Sequence, residues 1–265
     1  MIIYKNFNNT YPNDPLRNLN FENYKRLAGD IVFFIGTIPP ESIYKNFDKK
    51  KIYFATEEQF NDCDLTKNYY NFVDEILTIC PTSISKRDKR KFCFWPVDHE
   101  LLKNVDIKDF NDKEFDTCYF GGNYGIHINE IFDSMSEFKF CQSNHNINVS
   151  YLDKLNLISK SKISVCHNLI IPYCGKGVTP QLKTRCFEAG FCKSLMLVLR
   201  DEFNTIEEWF KPGEDFIYYD FGNLKNTLFE VLNNYNKFKP MVESAFKKCM
   251  NNYTTQHFVE KYLTI

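Results

Sequence analysis

The stretch Cys174–Gly190 (CGKGVTPQLKTRCFEAG) gathers residue types that hold phosphate. Gly175 and Gly177 flank Lys176, and Pro180 suits the first turn of a helix. This spacing predicts a helix opening near Pro180, with the amides of Gly177, Val178 and Thr179 unpaired at its start. Unpaired amides and the helix dipole both favour negative charge, so the expectation is an anion site. Lys176, Lys183 and Arg185 bring cations to the same end. Glu188 follows roughly two turns further in, inside an otherwise apolar Cys-Phe-Glu-Ala-Gly run. It has two readings. One is an ion pair with Arg185, three residues back, worth a few tenths of a kcal/mol. The other is a carboxylate that accepts hydrogen bonds from the vicinal hydroxyls of a ribose whose phosphates sit at the helix start.

Other candidates follow apolar, strand-like runs. Gly121 and Gly122 after FDTCYF either let a phosphate approach the backbone or make a tight turn. Ser143, Asn144 and His145 lie at the edge where a base would be read, or are ordinary loop residues. His167 at a strand end reads first as a core or rim histidine. Asp98 and His99 follow KFCFWP, and Glu57 and Glu58 follow KIYFA; either pair could supply a general base for a hydroxyl. Asp62-Cys63-Asp64 has the spacing of a metal-binding pair of carboxylates but follows no strong strand, and no metal is expected.

The elements that must position these residues alternate between short apolar runs and amphipathic segments, the pattern of a parallel sheet layered by helices. In the first half the runs are Asp30–Gly36, Lys51–Ala55, Glu75–Cys80 and Lys91–Pro96. In the second they are Phe115–Phe120, Phe138–Cys141, Ile163–His167, Leu195–Val198 and a run near Phe216–Tyr219. Between them, Ile128, Ile131, Phe132 and Met135 form one helical stripe. Ser150 and Asp153 look like a capping box for a helix burying Leu152, Leu155 and Ile158. Two last helices begin near Leu224 and Pro240, and the polar stretch Lys103–Glu114 reads as a linker. Ligands of open α/β sheets bind beyond the carboxyl ends of the strands, where most of the candidates lie.

Composition removes several classes. At a formal net charge of -1 the chain lacks the polycationic surface that holds nucleic acid by counterion release. The basic run Lys86, Arg87, Lys89, Arg90 and Lys91 is broken by Asp88 and reads as a solvated loop. There are 10 cysteines, but none forms a CxxC pair and several sit in apolar runs, where thiols act as small core residues. A reducing, cytoplasmic setting is expected, with no transmembrane segment because no apolar run approaches a membrane span. No GxGxxG follows the first strand, which argues against a dinucleotide-dependent dehydrogenase.

From Phe115 onward the sequence resembles the donor-binding domain of GT-B-fold glycosyltransferases. Four blocks carry the resemblance in order: FDTCYFGG, YLDKLNLISKSKISVCHN, Arg185-Cys186-Phe187-Glu188-Ala189-Gly190 with Leu195–Leu199, and KPGEDFIYYD. They cover about half the chain; the first half carries no such motif. The resemblance implies an α/β, GT-B-like fold with two Rossmann-like domains facing a cleft and a C-terminal helix crossing back to the first. The expected division is residues 1–108 for the acceptor side, 109–251 for the donor domain and 252–265 for the closing helix. It implies transfer of a sugar from a nucleoside-diphosphate sugar to an acceptor hydroxyl, that of a glycan, without metal or other cofactor. Glu188 would bind the ribose, and Arg185 or Lys176 would neutralise the diphosphate. A non-catalytic nucleotide- or glycan-binding module of the same fold is the alternative.

Overall fold

A computed structural model describes residues 1–6, 14–36, 47–56, 72–81, 89–122, 128–143, 149–170 and 179–264. Two five-stranded parallel sheets organise them. The first contains β1 (Ile2–Asn6), β2 (Ile31–Gly36), β3 (Lys50–Ala55), β4 (Glu75–Thr78) and β5 (Arg90–Phe92), side by side in chain order. β1 was missed in the sequence because its five residues, IIYKN, are too short and too mixed to show a period. Alternation splits β2 between two faces: Ile31, Phe33 and Ile35 join one cluster, Val32 and Phe34 another.

The second sheet contains β6 (Phe115–Phe120), β7 (Phe140–Ser143), β8 (Ser161–Cys166), β11 (Leu195–Leu199) and β12 (Phe216–Tyr219), in the spatial order β12-β11-β8-β6-β7. A short antiparallel pair, β9 (Leu169–Ile170) and β10 (Thr179–Pro180), lies beside it in the chain. The helices are α1 (His99–Leu102), α2 (Ile128–Met135), α3 (Tyr151–Ser159), α4 (Thr184–Phe191), α5 (Leu224–Asn233), α6 (Lys239–Asn252) and α7 (Thr255–Tyr262). α2 buries Ile128, Ile131 and Met135, the expected stripe, with Phe132 partly covered. Ser150 caps α3: its hydroxyl accepts from the Asp153 amide at 3.1 Å and donates to the Asp153 carboxylate at 2.6 Å.

The C-terminal helix crosses back, as the resemblance implied. Val97 bridges to Thr254, the Thr255 amide donates to the Val97 carbonyl at 3.0 Å, and the Gly29 amide donates to Leu263 at 2.8 Å. Phe258 of α7 is fully buried against Phe21, Phe33, Phe54 and Phe94, ring centres 5.2–6.2 Å away, and Tyr262 packs on Phe94 at 5.6 Å. One apolar cluster therefore runs from β2, β3 and β4 through α7 into Phe187, Phe191, Met196 and Val198 of the second sheet's layer.

The anticipated helix at Pro180 is a correction. Thr179 and Pro180 form β10, paired in register with Ile170 and Leu169, and α4 starts at Thr184. The intervening residues are claimed by distant partners: the Leu182 amide donates to Ile79 at 2.8 Å, and the Trp95 indole donates to the Leu182 carbonyl at 2.8 Å. The Gln181 side chain reaches Thr56 at 3.5 Å, and the Cys80 thiol reaches the Pro180 carbonyl at 3.4 Å. Extended backbone bonded to the other sheet cannot also be the first turn of a helix.

Candidate functional site

In the second sheet the strand order reverses between β6 and β8, because β7 lies on one side of β6 and β8, β11 and β12 lie on the other. Such a switch point splays the two connections apart beyond the carboxyl ends of the strands and leaves a crevice there. β6 runs out into Gly121-Gly122 and β8 into His167-Asn168. α4 delivers Arg185 to the same place.

A chain of side chains joins them. Arg185 Nη1 donates to the Tyr119 hydroxyl at 3.1 Å, and the guanidinium carbon lies 5.1 Å from the Tyr119 ring centre. The Tyr119 hydroxyl is 2.9 Å from His167 Nε2, and His167 Nδ1 is 3.0 Å from the Leu169 carbonyl. Tyr119 and His167 are buried, whereas Arg185 is half-buried, and no carboxylate pairs with it among the described residues. A half-buried cation with only a phenol against it among the described residues is electrostatically incomplete, since burial penalises an uncompensated charge. Gly121 belongs to the same arrangement: a Cβ there would lie 2.6 Å from Arg185 Nη2 and 2.7 Å from the Tyr119 hydroxyl.

The start of α4 is capped from outside its own segment. The Lys183 amide donates to Asn168 Oδ1 at 3.0 Å, and the Lys183 ammonium bonds the Gln181 side chain. Asn168 itself is fully buried. Of the anticipated anion site, Thr179 lies in β10 rather than at a helix start, while Lys176, Gly177 and Val178 fall outside the described residues.

Glu188 faces away from Arg185. Its carboxylate is fully buried, with both oxygens 2.8 Å from Lys154 Nζ on α3, so the i, i+3 pair with Arg185 does not form. Burial first, and then the Glu188 charge beside it, push the Tyr151 phenol well above its ordinary range. Lys113, in the segment read as a linker, donates to the Ser159 carbonyl at 2.6 Å, and burial pushes its ammonium down to about 8.

On the first sheet's side, Asp98 is the N-cap of α1. One oxygen accepts from the Glu100 and Leu101 amides at 2.9 and 3.1 Å, and the other from the Asn20 amide at 3.2 Å. His99 is exposed beside Glu100. Glu57, Glu58, the Asp62-Cys63-Asp64 triplet, Asn144 and His145 lie outside the described residues. Among the described residues no cluster of His, Cys, Asp or Glu could hold a metal ion, and no helix is long and apolar enough to cross a membrane.

The structure thus brings together Gly121, Gly122, Lys183 and Arg185 of the anticipated set and adds Tyr119, His167 and Asn168. Asn168 was legible: it ends the block SKISVCHN. Tyr119 carried no signal, being one aromatic among 16 tyrosines and 26 phenylalanines.

The profile of the family described as glycosyl transferase-like matches residues 110–264, more than half of the chain. No curated protein sequence matches it. Among solved structures, HepE of Anabaena, in complex with UDP-glucose, superposes at a TM-score of 0.55 with 8% identity, covering 88% of this chain and 77% of its own. AviGT4, a glycosyltransferase involved in avilamycin A biosynthesis, gives 0.54 with 11% identity, covering 91% and 75%. TarM gives 0.49 with 13% identity, covering 91% and 56%, so this chain spans just over half the length of TarM. The likenesses to HepE and AviGT4 show the fold, the GT-B pairing of two parallel α/β sheets.

Proposed function

The chain belongs to the glycosyl transferase-like family, and from that premise we propose that it moves a sugar from a nucleoside-diphosphate sugar to an acceptor hydroxyl, with the donor held at the switch point of the second sheet. The observation that carries the reading is the half-buried Arg185 guanidinium, resting on the Tyr119 phenol with no carboxylate paired to it among the described residues. As the bond from the sugar to the diphosphate breaks, negative charge grows on the departing phosphate. A cation already fixed there stabilises that charge without reorganising. We therefore propose that transfer needs no divalent metal. HepE's complex makes uridine diphosphate the first nucleotide to try.

Residues 109–251 would form the donor half, 1–108 the acceptor half and 252–265 the closing helix. The acceptor's proton would go to a base of the first half, from His99 or Glu58. Asp98 drops out of that role because three backbone amides already use its carboxylate. Glu188 could meet a ribose only by leaving Lys154, so we place the ribose contact second to the diphosphate contact.

Binding without transfer is the rival reading, favoured by the loss of Asp98 as a base. Turnover separates the two. UDP, GDP, CDP, ADP and TDP, with their sugars, are screened by thermal shift, since a ligand bound to the native state raises the melting point. Transfer or slow hydrolysis of the matching sugar donor is then followed with and without EDTA. Arg185→Ala should weaken the diphosphate about 10- to 100-fold, the loss of one or two charge-assisted hydrogen bonds. Unchanged affinity in Arg185→Ala would remove the donor site from this crevice.

A further inference from the structure

The hydrogen bonds around Tyr119 share one direction. The Leu169 carbonyl can only accept, so at 3.0 Å it holds the His167 proton on Nδ1. A neutral ring then offers its Nε2 lone pair, and the Tyr119 hydroxyl, 2.9 Å away, donates to it. A phenol has one proton, so its oxygen is left to accept from Arg185 Nη1 at 3.1 Å rather than to donate to the Gly122 carbonyl at 3.3 Å. The chain runs one way, from guanidinium through phenol and imidazole to a backbone carbonyl, and no link in it is a carboxylate. A carboxylate in Tyr119's place would hold Arg185 equally well but would neutralise it. A phenol fixes the guanidinium and leaves its charge intact.

The glycine completes the device. With Arg185 Nη2 and the Tyr119 hydroxyl at 2.6 and 2.7 Å from where a Cβ of residue 121 would sit, the guanidinium lies against the backbone at the β6 turn. Any side chain there would push it off its seat.

We propose that Tyr119 and His167 are positioning residues of the donor site, which hold Arg185 against Gly121 with its full charge directed to a bound diphosphate. The proposal rests on the reading that the crevice binds the donor diphosphate through Arg185. Tyr119 and His167 need not touch the donor; they act through Arg185.

The experiment titrates UDP and uridine by calorimetry into wild type, Tyr119→Phe, His167→Leu, His167→Gln, Gly121→Ala and Arg185→Ala, with urea denaturation of each. Tyr119→Phe, His167→Leu and Gly121→Ala should weaken UDP about tenfold, the worth of one hydrogen bond to a charged group, and leave uridine within about twofold. His167→Gln should stay close to wild type, because its amide oxygen can still accept the phenol proton. Three results overturn the proposal. Wild-type UDP affinity in Tyr119→Phe and Gly121→Ala, beside a loss in Arg185→Ala, removes the positioning role while the donor reading stands. Equal weakening of UDP and uridine in Tyr119→Phe shows a structural role only. Wild-type affinity in Arg185→Ala, or UDP bound no more tightly than uridine by wild type, removes the donor reading and the positioning role together.

Discussion

The two sheets share strand number and parallel direction but differ in order and in what they bury. The first runs β1-β2-β3-β4-β5 without reversal, so its strand order contains no switch point. Its inner face is finished by rings: Phe21, Phe33, Phe54, Phe94 and Phe258 pack centre to centre at 5.2–6.2 Å. The second sheet reverses between β6 and β8 and buries polar side chains there, Asn168 and His167, while Glu188 with Lys154 is buried between α4 and α3, away from Arg185. The segment 179–183 ties the two sheets together, since it bonds to Ile79 and Trp95 on one side and opens α4 on the other.

If the first half depends on rings, Phe258→Ala should be the most damaging single change there, costing about 3–5 kcal/mol for a fully buried phenylalanine. Urea denaturation measures it; a cost under about 1 kcal/mol would mean that α7 is not what closes the first sheet. A comparable loss is expected on the other side from charge rather than volume. Glu188→Ala would strand Lys154, whose side chain is 9% exposed, and cost about 3–5 kcal/mol. Lys154→Met with Glu188→Leu should recover most of it, because two apolar groups replace two ions. A double variant as unstable as the single one would show that Glu188 does more than balance Lys154.

A smaller effect tests how α4 is seated. A Cβ on Gly190 would meet the Cys249 thiol at 2.5 Å, so Gly190→Ala should cost about 1–3 kcal/mol by overpacking α4 against α6. Gly190→Ala with Cys249→Ala should relieve it, and a neutral Gly190→Ala would mean that the two helices slide freely. The smallest effect is pH-dependent. Burial would raise the Asp215 carboxyl, but Lys248, the Lys211 amide at 2.8 Å and the Ser244 hydroxyl at 2.7 Å outweigh it and hold its pKa below the ordinary aspartate value. The folded value being the lower one, this stabilisation is complete above the unfolded value of about 3.9 and is lost as pH falls through the folded one. Asp215→Asn should cost about 1–2 kcal/mol at neutral pH and flatten the loss of stability below pH of about 4. Parallel acid limbs for variant and wild type would contradict this.

Much of the second half was legible from local pattern. Phe216–Tyr219 forms as a strand over the expected residues, and the stripe of α2 and the Ser150 cap of α3 are present. These features depend on residues within a few positions of one another, where the periods of helix and strand and the reach of a cap apply. The Arg-x-Phe-Glu block likewise forms one helix, which carries Arg185 to the end of the sheet.

What the amino-acid sequence by itself determined, then, is most of the strands and helices, β1 and β10 apart, and which helix carries the cation. Strand order, the start of α4 and the partner of each charge were decided by the tertiary structure. Pro180 satisfies the local rule for a helix start, yet the bonds that hold its neighbours extended come from Ile79, Trp95 and Asn168. Arg185 and Glu188 satisfy the local rule for a pair, yet Tyr119 and Lys154 take them instead. An exposed pair on one helix is worth a few tenths of a kcal/mol, whereas an unpaired buried charge costs several. Once packing buries Lys154 beside Glu188, the larger energy assigns the partners.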